Sequence, residues 1–221
     1  MALAAAAAPQ PASADRPTSG DMSIISGRTM GNGETALAAG VGWPGIWAQV
    51  LLAPSSTFNL GFRGSVLYGS PVMGLGSGVG GGLSVPVRLH LLGKGYLDVA
   101  LALEPGAFMG EGSLAGQEVA FAHSFGYGAT CTLALLAGAQ VSGAITVTLG
   151  AGGDFVYYDT PSAGAGRQLG ATGLGIFGLE ALVSRDTLLF LEVRGGYGFA
   201  PERLFDGHEV VRFSLGLAYL L

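Results

Sequence analysis

The 221-residue chain has 11% charged and 49% hydrophobic residues and a mean hydropathy of +0.51. An ordinary soluble domain carries roughly 25% charged residues, so a surface wetted all round is excluded. A net charge of −5, with Lys94 as the single lysine, excludes a phosphate-binding basic face and with it nucleic acid as a partner. Cys131 stands alone, which excludes an intramolecular disulfide and a metal-ligand cluster, and no cofactor is implied.

No uninterrupted apolar run approaches the ~18 residues that would let a helix cross a bilayer. The 40 glycines are too many for helices and lack the three-residue period of collagen, but they suit curved strands and tight turns. A hydrophobic chain without hydrophobic helices predicts a β-barrel.

In chain order, residues 1–14 form the first unit. Leu3 to Ala8 make a weak apolar core and Ala12-Ser13-Ala14 fits a small-residue cleavage site, so this stretch reads as a possible remnant of a signal peptide without its basic leader. Residues 15–32 contain Pro17, Gly20, Gly27 and Gly31 and little period, and read as an N-terminal tail, either periplasmic or a short inner segment.

Residues 33–221 then divide into about ten alternating segments, with eight as the other count, as suits an even-numbered bacterial barrel. The expected spans are 34–42, 46–53, 57–68, 80–92, 96–109, 119–137, 143–158, 169–184, 187–199 and 210–221. Tight connections at Ala53 to Ser56, Gly93 to Gly95, Gly138 to Ser142 and Ser184 to Asp186 alternate with looser ones at Gly69 to Val79, Gly110 to Glu118, Asp159 to Gln168 and Ala200 to Glu209. Parity therefore requires a strand 34–42 before 46–53, joined through Gly42 to Gly45; the other arrangement is one long bent strand or a plug at its start.

The faces carry the chemistry. Phe58, Leu60, Phe62 and Val66 oppose Asn59, Gly61, Arg63 and Ser65; Leu97, Val99, Leu101 and Leu103 oppose Asp98, Ala100, Ala102 and Glu104. A soluble lipocalin-like cup would turn the aliphatic face inward, and a membrane barrel turns it outward. The polar faces are mostly Gly, Ser, Thr and Ala, which fit a crowded interior and would solubilise an exterior poorly. Lipid therefore lies outside. Tyr68, Tyr127, Tyr157, Tyr158, Tyr197 and Phe199 near strand ends fit an interfacial girdle, and Cys131 is a lipid-facing or packed thiol.

The inward face then carries Glu34, Arg63, Arg88, His90, Asp98, Glu104, Asp154, Glu180, Glu192, Arg194 and Arg212. Charges in a lumen need partners, so an internal ion-pair network filling the barrel is expected, the other reading being the selectivity region of a narrow channel.

The last strand reads VRFSLGLAYLL, with Phe213, Leu215, Leu217, Tyr219 and Leu221 on one face. This closing strand, with the alternation before it, resembles small outer-membrane β-barrel proteins of Gram-negative bacteria. The resemblance implies an antiparallel up-and-down transmembrane barrel in the bacterial outer membrane, contacts with membrane lipid, and assembly by the barrel-insertion machinery. The chain departs from the pattern in ending on Leu221 instead of Phe or Trp, with Tyr219 two residues earlier on the same face.

Catalysis finds little support. His123 and Ser124 are adjacent and point to opposite faces of a strand, whereas outer-membrane lipid deacylases place His and Ser two apart; His208 reads as a solvated loop residue. The Gly74 to Gly82 run lacks the Gly-Lys-Ser/Thr of a phosphate loop. The expectation is a non-catalytic barrel, structural or a narrow porin-like passive channel, without catalytic or metal residues. The alternative is a barrel hydrolase acting on membrane lipid.

Overall fold

The computed structural model describes residues 22–69, 79–111, 125–159, 167–199 and 209–221. The expectations for the leader at 1–14, for 15–21, for the connections through 70–78, 112–124, 160–166 and 200–208, and for His123, Ser124 and His208 lie outside these residues.

The regular structure among the described residues is all strand: β1 Thr35–Trp43, β2 Gly45–Ser55, β3 Phe58–Leu67, β4 Gly80–Ser84, β5 Val87–Lys94, β6 Leu97–Glu111, β7 Phe125–Ser142, β8 Ile145–Asp159, β9 Arg167–Leu182, β10 Thr187–Phe199 and β11 Glu209–Leu220. β4 and β5 both pair with β3 on one side and β6 on the other, so they are halves of one wall strand. The break falls at Val85-Pro86, because proline has no N–H to give to a ladder. The wall still closes around it: Val85 N donates to Pro105 O at 2.9 Å and Gly61 N to Pro86 O at 2.7 Å. The result is a closed barrel of 10 antiparallel strands, each bonded to its neighbour in sequence, with β1 sealed against β11 from Ala36 opposite Leu220 to Trp43 opposite Phe213. Residues 34–53 are thus two paired strands and not one bent strand.

The exterior decides between water and lipid. Leu37, Val50, Phe62, Leu83, Leu101, Leu135, Leu149, Phe177, Leu189 and Leu215 are all exposed, one or more from nearly every strand. Among the described residues the exposed charged side chains are Lys94, Arg185, Asp186 and Glu209, each in a turn or at a strand end. A wall with aliphatic side chains at mid-height and no charge among them cannot face water, and the interior is charged where a lipocalin-like cup would be aliphatic. The protein is expected to sediment with membranes and to stay there through high-salt and alkaline washes, since apolar area retains it. Recovery as a soluble monomer without detergent would contradict this.

The expected turns at Ala53 to Ser56 and Gly93 to Gly95 shorten, since β2 runs to Ser55 and β5 to Lys94, and two further expectations are corrected. β7 extends to Ser142, so Gly138, read as a turn residue, lies within a strand, and the expected start at 119–124 is outside the described residues. The reason for glycine there is space: a Cβ at 138 would stand 2.8 Å from Ser26 Cβ and 3.0 Å from Gly27 N, atoms of a segment inside the barrel. Tyr158 does not join a girdle. Alternation sends Tyr157 outward and Tyr158 inward, where it is wholly buried and stacks on Phe108 with ring centroids 5.6 Å apart. Tyr68, Tyr127 and Tyr197 are exposed near the end with the longer connections.

Candidate functional site

The lumen has two levels. At the short-turn end it holds the chain's own residues 22–30, every one of them buried. This segment makes no strand ladder with the wall, so its backbone groups need side-chain partners. Glu180 Oε1 accepts from Ile24 N at 2.6 Å and Ile25 N at 2.9 Å, and both Glu180 oxygens accept from Ser23 Oγ, at 3.1 and 2.9 Å. Arg88 does the converse, donating to the carbonyls of Ser23 at 3.3 Å, Arg28 at 3.0 Å and Ile24. Arg28 Nε lies 3.2 Å from Asp98 Oδ2, and His90 Nε2 lies 3.0 Å from Asp98 Oδ1.

Apolar packing completes the plug. Met22, Ile24, Ile25 and Met30 cluster with Ala36, Ala38, Leu51, Ala53, Leu188, Phe190 and Ala218 of the wall. Small inward residues leave room for it: a Cβ on Gly178 would stand 2.7 Å from Ile25 Cδ1. The segment leaves the lumen through Gly33, whose φ of +82° is left-handed and favours glycine. Glu34 holds this exit, its Oε2 accepting from Gly31 N at 2.6 Å.

Above the plug sits a layer of paired charges. Arg63 Nη1 donates to Glu104 Oε1 at 2.8 Å and Arg63 Nε to Gln49 Oε1 at 2.8 Å, while the guanidinium lies 4.4 Å from the centroid of Trp47. Glu104 also accepts from Ser84 Oγ at 2.7 Å. Arg194 Nη2 donates to Glu192 Oε1 at 3.0 Å. Arg212 Nη2 stands 2.8 Å from Asp154 Oδ2, close enough for charge pairing though off the hydrogen-bond direction, and Asp154 Oδ1 accepts from Thr132 Oγ1. These groups line a cavity of about 230 Å³ toward the longer connections. A smaller void of about 50 Å³, lined by Ile24 and Ile25, separates the same layer from the plug.

The eleven inward residues expected from the sequence thus divide by partner. Arg63, Glu104, Asp154, Glu192, Arg194 and Arg212 pair with one another. Asp98 and His90 pair with each other and, through Arg28, with the plug. Glu34, Arg88 and Glu180 are corrected from an ion-pair role: their hydrogen bonds go to the backbone and to Ser23 of the N-terminal segment. Sequence reasoning missed Arg28, and for residues 15–32 it left a short inner segment open beside a periplasmic tail without choosing between them. The available signal was Met22-Ser23-Ile24-Ile25-Ser26, too apolar for a solvated tail, beside inward positions reduced to Ala and Gly. Among the described residues no group of three His, Cys, Asp or Glu is placed to hold a metal ion.

A closed ten-strand barrel with a polar interior and an apolar exterior that, among the described residues, carries no exposed charge at mid-height is an outer-membrane β-barrel, and its place is the bacterial outer membrane. No protein-family model matches the chain, and no curated protein matches it. Among solved structures it is similar to OmpT, an outer membrane protein of Vibrio cholerae, at 12% identity over 85% of this chain and 61% of that one, with a TM-score of 0.36. It is also similar to the outer membrane protease OmpT from Escherichia coli, at 9% identity over 85% of this chain and 93% of that one, with a TM-score of 0.36.

Proposed function

We propose that the protein is a non-catalytic outer-membrane barrel, structural in role, whose lumen is closed at rest by its own residues 22–30 and offers no more than a narrow passive path. The supporting observation is the plug: all nine of its residues are buried, and two wall ions, Arg88 and Glu180, are spent on its backbone. The paired layer above it narrows what remains. In planar bilayers the expected conductance is small or absent, with any residual current mildly cation-preferring. A large, stable and unselective conductance from the unmutated protein would overturn this reading in favour of a general porin.

The non-catalytic reading is supported by the His90–Asp98 pair, whose carboxylate is buried and already shared with Arg28 of the plug. Purified protein should leave phospholipid in mixed micelles intact. Turnover lost on His90→Ala would establish the hydrolase instead.

A further inference from the structure

We propose that residues 22–30 are a removable gate, latched by Glu180 and Arg88, and that the barrel conducts cations when the segment withdraws. The inference rests on the closed-barrel reading above. The hold is of a kind that can be exchanged. The segment pairs with no strand; Glu180 and Arg88 hold its backbone and one hydroxyl, while its Arg28 and Thr29 side chains hold Asp98, Gln140 and the Ser56 carbonyl, and these are polar contacts that water can replace. A permanent filler would more simply be large apolar side chains from the wall itself, yet beside Leu51, Leu188 and Phe190 the wall facing the segment carries the small residues Ala36, Ala38, Ala53, Gly138, Gly178 and Ala218. Withdrawal therefore leaves vacant the space over these small residues.

The path above is already open in part. The void of about 50 Å³ over Ile24 and Ile25 and the cavity of about 230 Å³ share Arg63, Glu104, Glu192 and Arg194 in their linings, so the paired charges stand between them. Charge sets the selectivity. When the segment leaves, two wall carboxylates, Asp98 and Glu180, lose their partners in it, whereas one wall guanidinium, Arg88, does; Arg28 departs with the segment. The unmasked lumen is thus more negative than the closed one and favours cations.

Glu180→Gln tests the latch in the full chain. Removing the charge from the acceptor of three donors, Ser23 Oγ, Ile24 N and Ile25 N, should raise the open fraction in planar bilayers roughly tenfold, with cation-preferring openings. In parallel, Ser26→Cys in a Cys131→Ser background should react faster with a water-soluble maleimide when Glu180→Gln is added, since Ser26 is 1% exposed while the gate is seated. If Glu180→Gln folds, as shown by heat-dependent gel mobility, and neither reading rises, the gate is overturned while the closed barrel stands. If that variant does not fold, Arg88→Gln is read by the same two measurements. Steady large conductance from the unmutated protein would instead overturn the closed-barrel reading beneath the proposal.

Discussion

Leu101→Arg is expected to destabilise the folded barrel by about 2–4 kcal/mol, the cost of placing a guanidinium on the lipid face near mid-height of a transmembrane strand. Leu101 is outward on β6, between Leu89 on β5 and Leu135 on β7, both exposed on the same apolar surface. A charge there has neither water nor a counter-ion within the wall. The neighbouring Ala102 points the other way, against Ala134, Leu136 and Ile176 and the small void over the plug. Ala102→Arg should therefore act through crowding of the plug, with a lesser effect on insertion. Urea unfolding in detergent micelles or liposomes measures both. Equal and negligible effects at the two positions would show the face assignment to be wrong.

Phe190→Ala is expected to cost about 3–5 kcal/mol, the range for emptying a buried phenylalanine site. Phe190 is 1% exposed, stacks on Trp47 with centroids 5.5 Å apart, and lies over Gly216, where a Cβ would overlap its ring. It belongs to the cluster that seats Met22, Ile24 and Ile25, and its partner Trp47 carries Arg63 on its face. One ring thus supports both the plug and the charged layer. Leu189→Ala, one residue away and facing lipid that can flow into the vacated space, should cost markedly less. The same unfolding measurement compares them, and similar losses at 189 and 190 would deny the interior packing its weight.

Much of the wall was legible in one dimension because the alternation of a strand is local. Each segment has a face of aliphatic residues and a face of small or charged ones, and the solvent on each side follows from composition alone. The spans 187–199 and 80–92 match β10 and the combined β4 and β5 closely, and the break between β4 and β5 falls at Pro86, where an N–H is missing. Length alternation among the connections likewise set the strand parity that requires β1.

What occupies the lumen was decided only by tertiary structure. Period two states that Glu180 and Arg88 point inward, but not what they meet, and their partners are far off in the chain: Ser23 is 157 residues from Glu180, and Ile24 is 64 from Arg88. Gly138 looked like a turn because glycine signals a bend and a close approach equally well, and only the presence of Ser26 beside it separates the two. Tyr158 looked interfacial because its position near a strand end was read without its parity. The sequence by itself determined a lipid-facing wall, since exposure to lipid is a property of each residue in its own strand. The seating of the plug and the pairing of each inward charge are properties of residues facing one another across a lumen, and no local pattern encodes that distance.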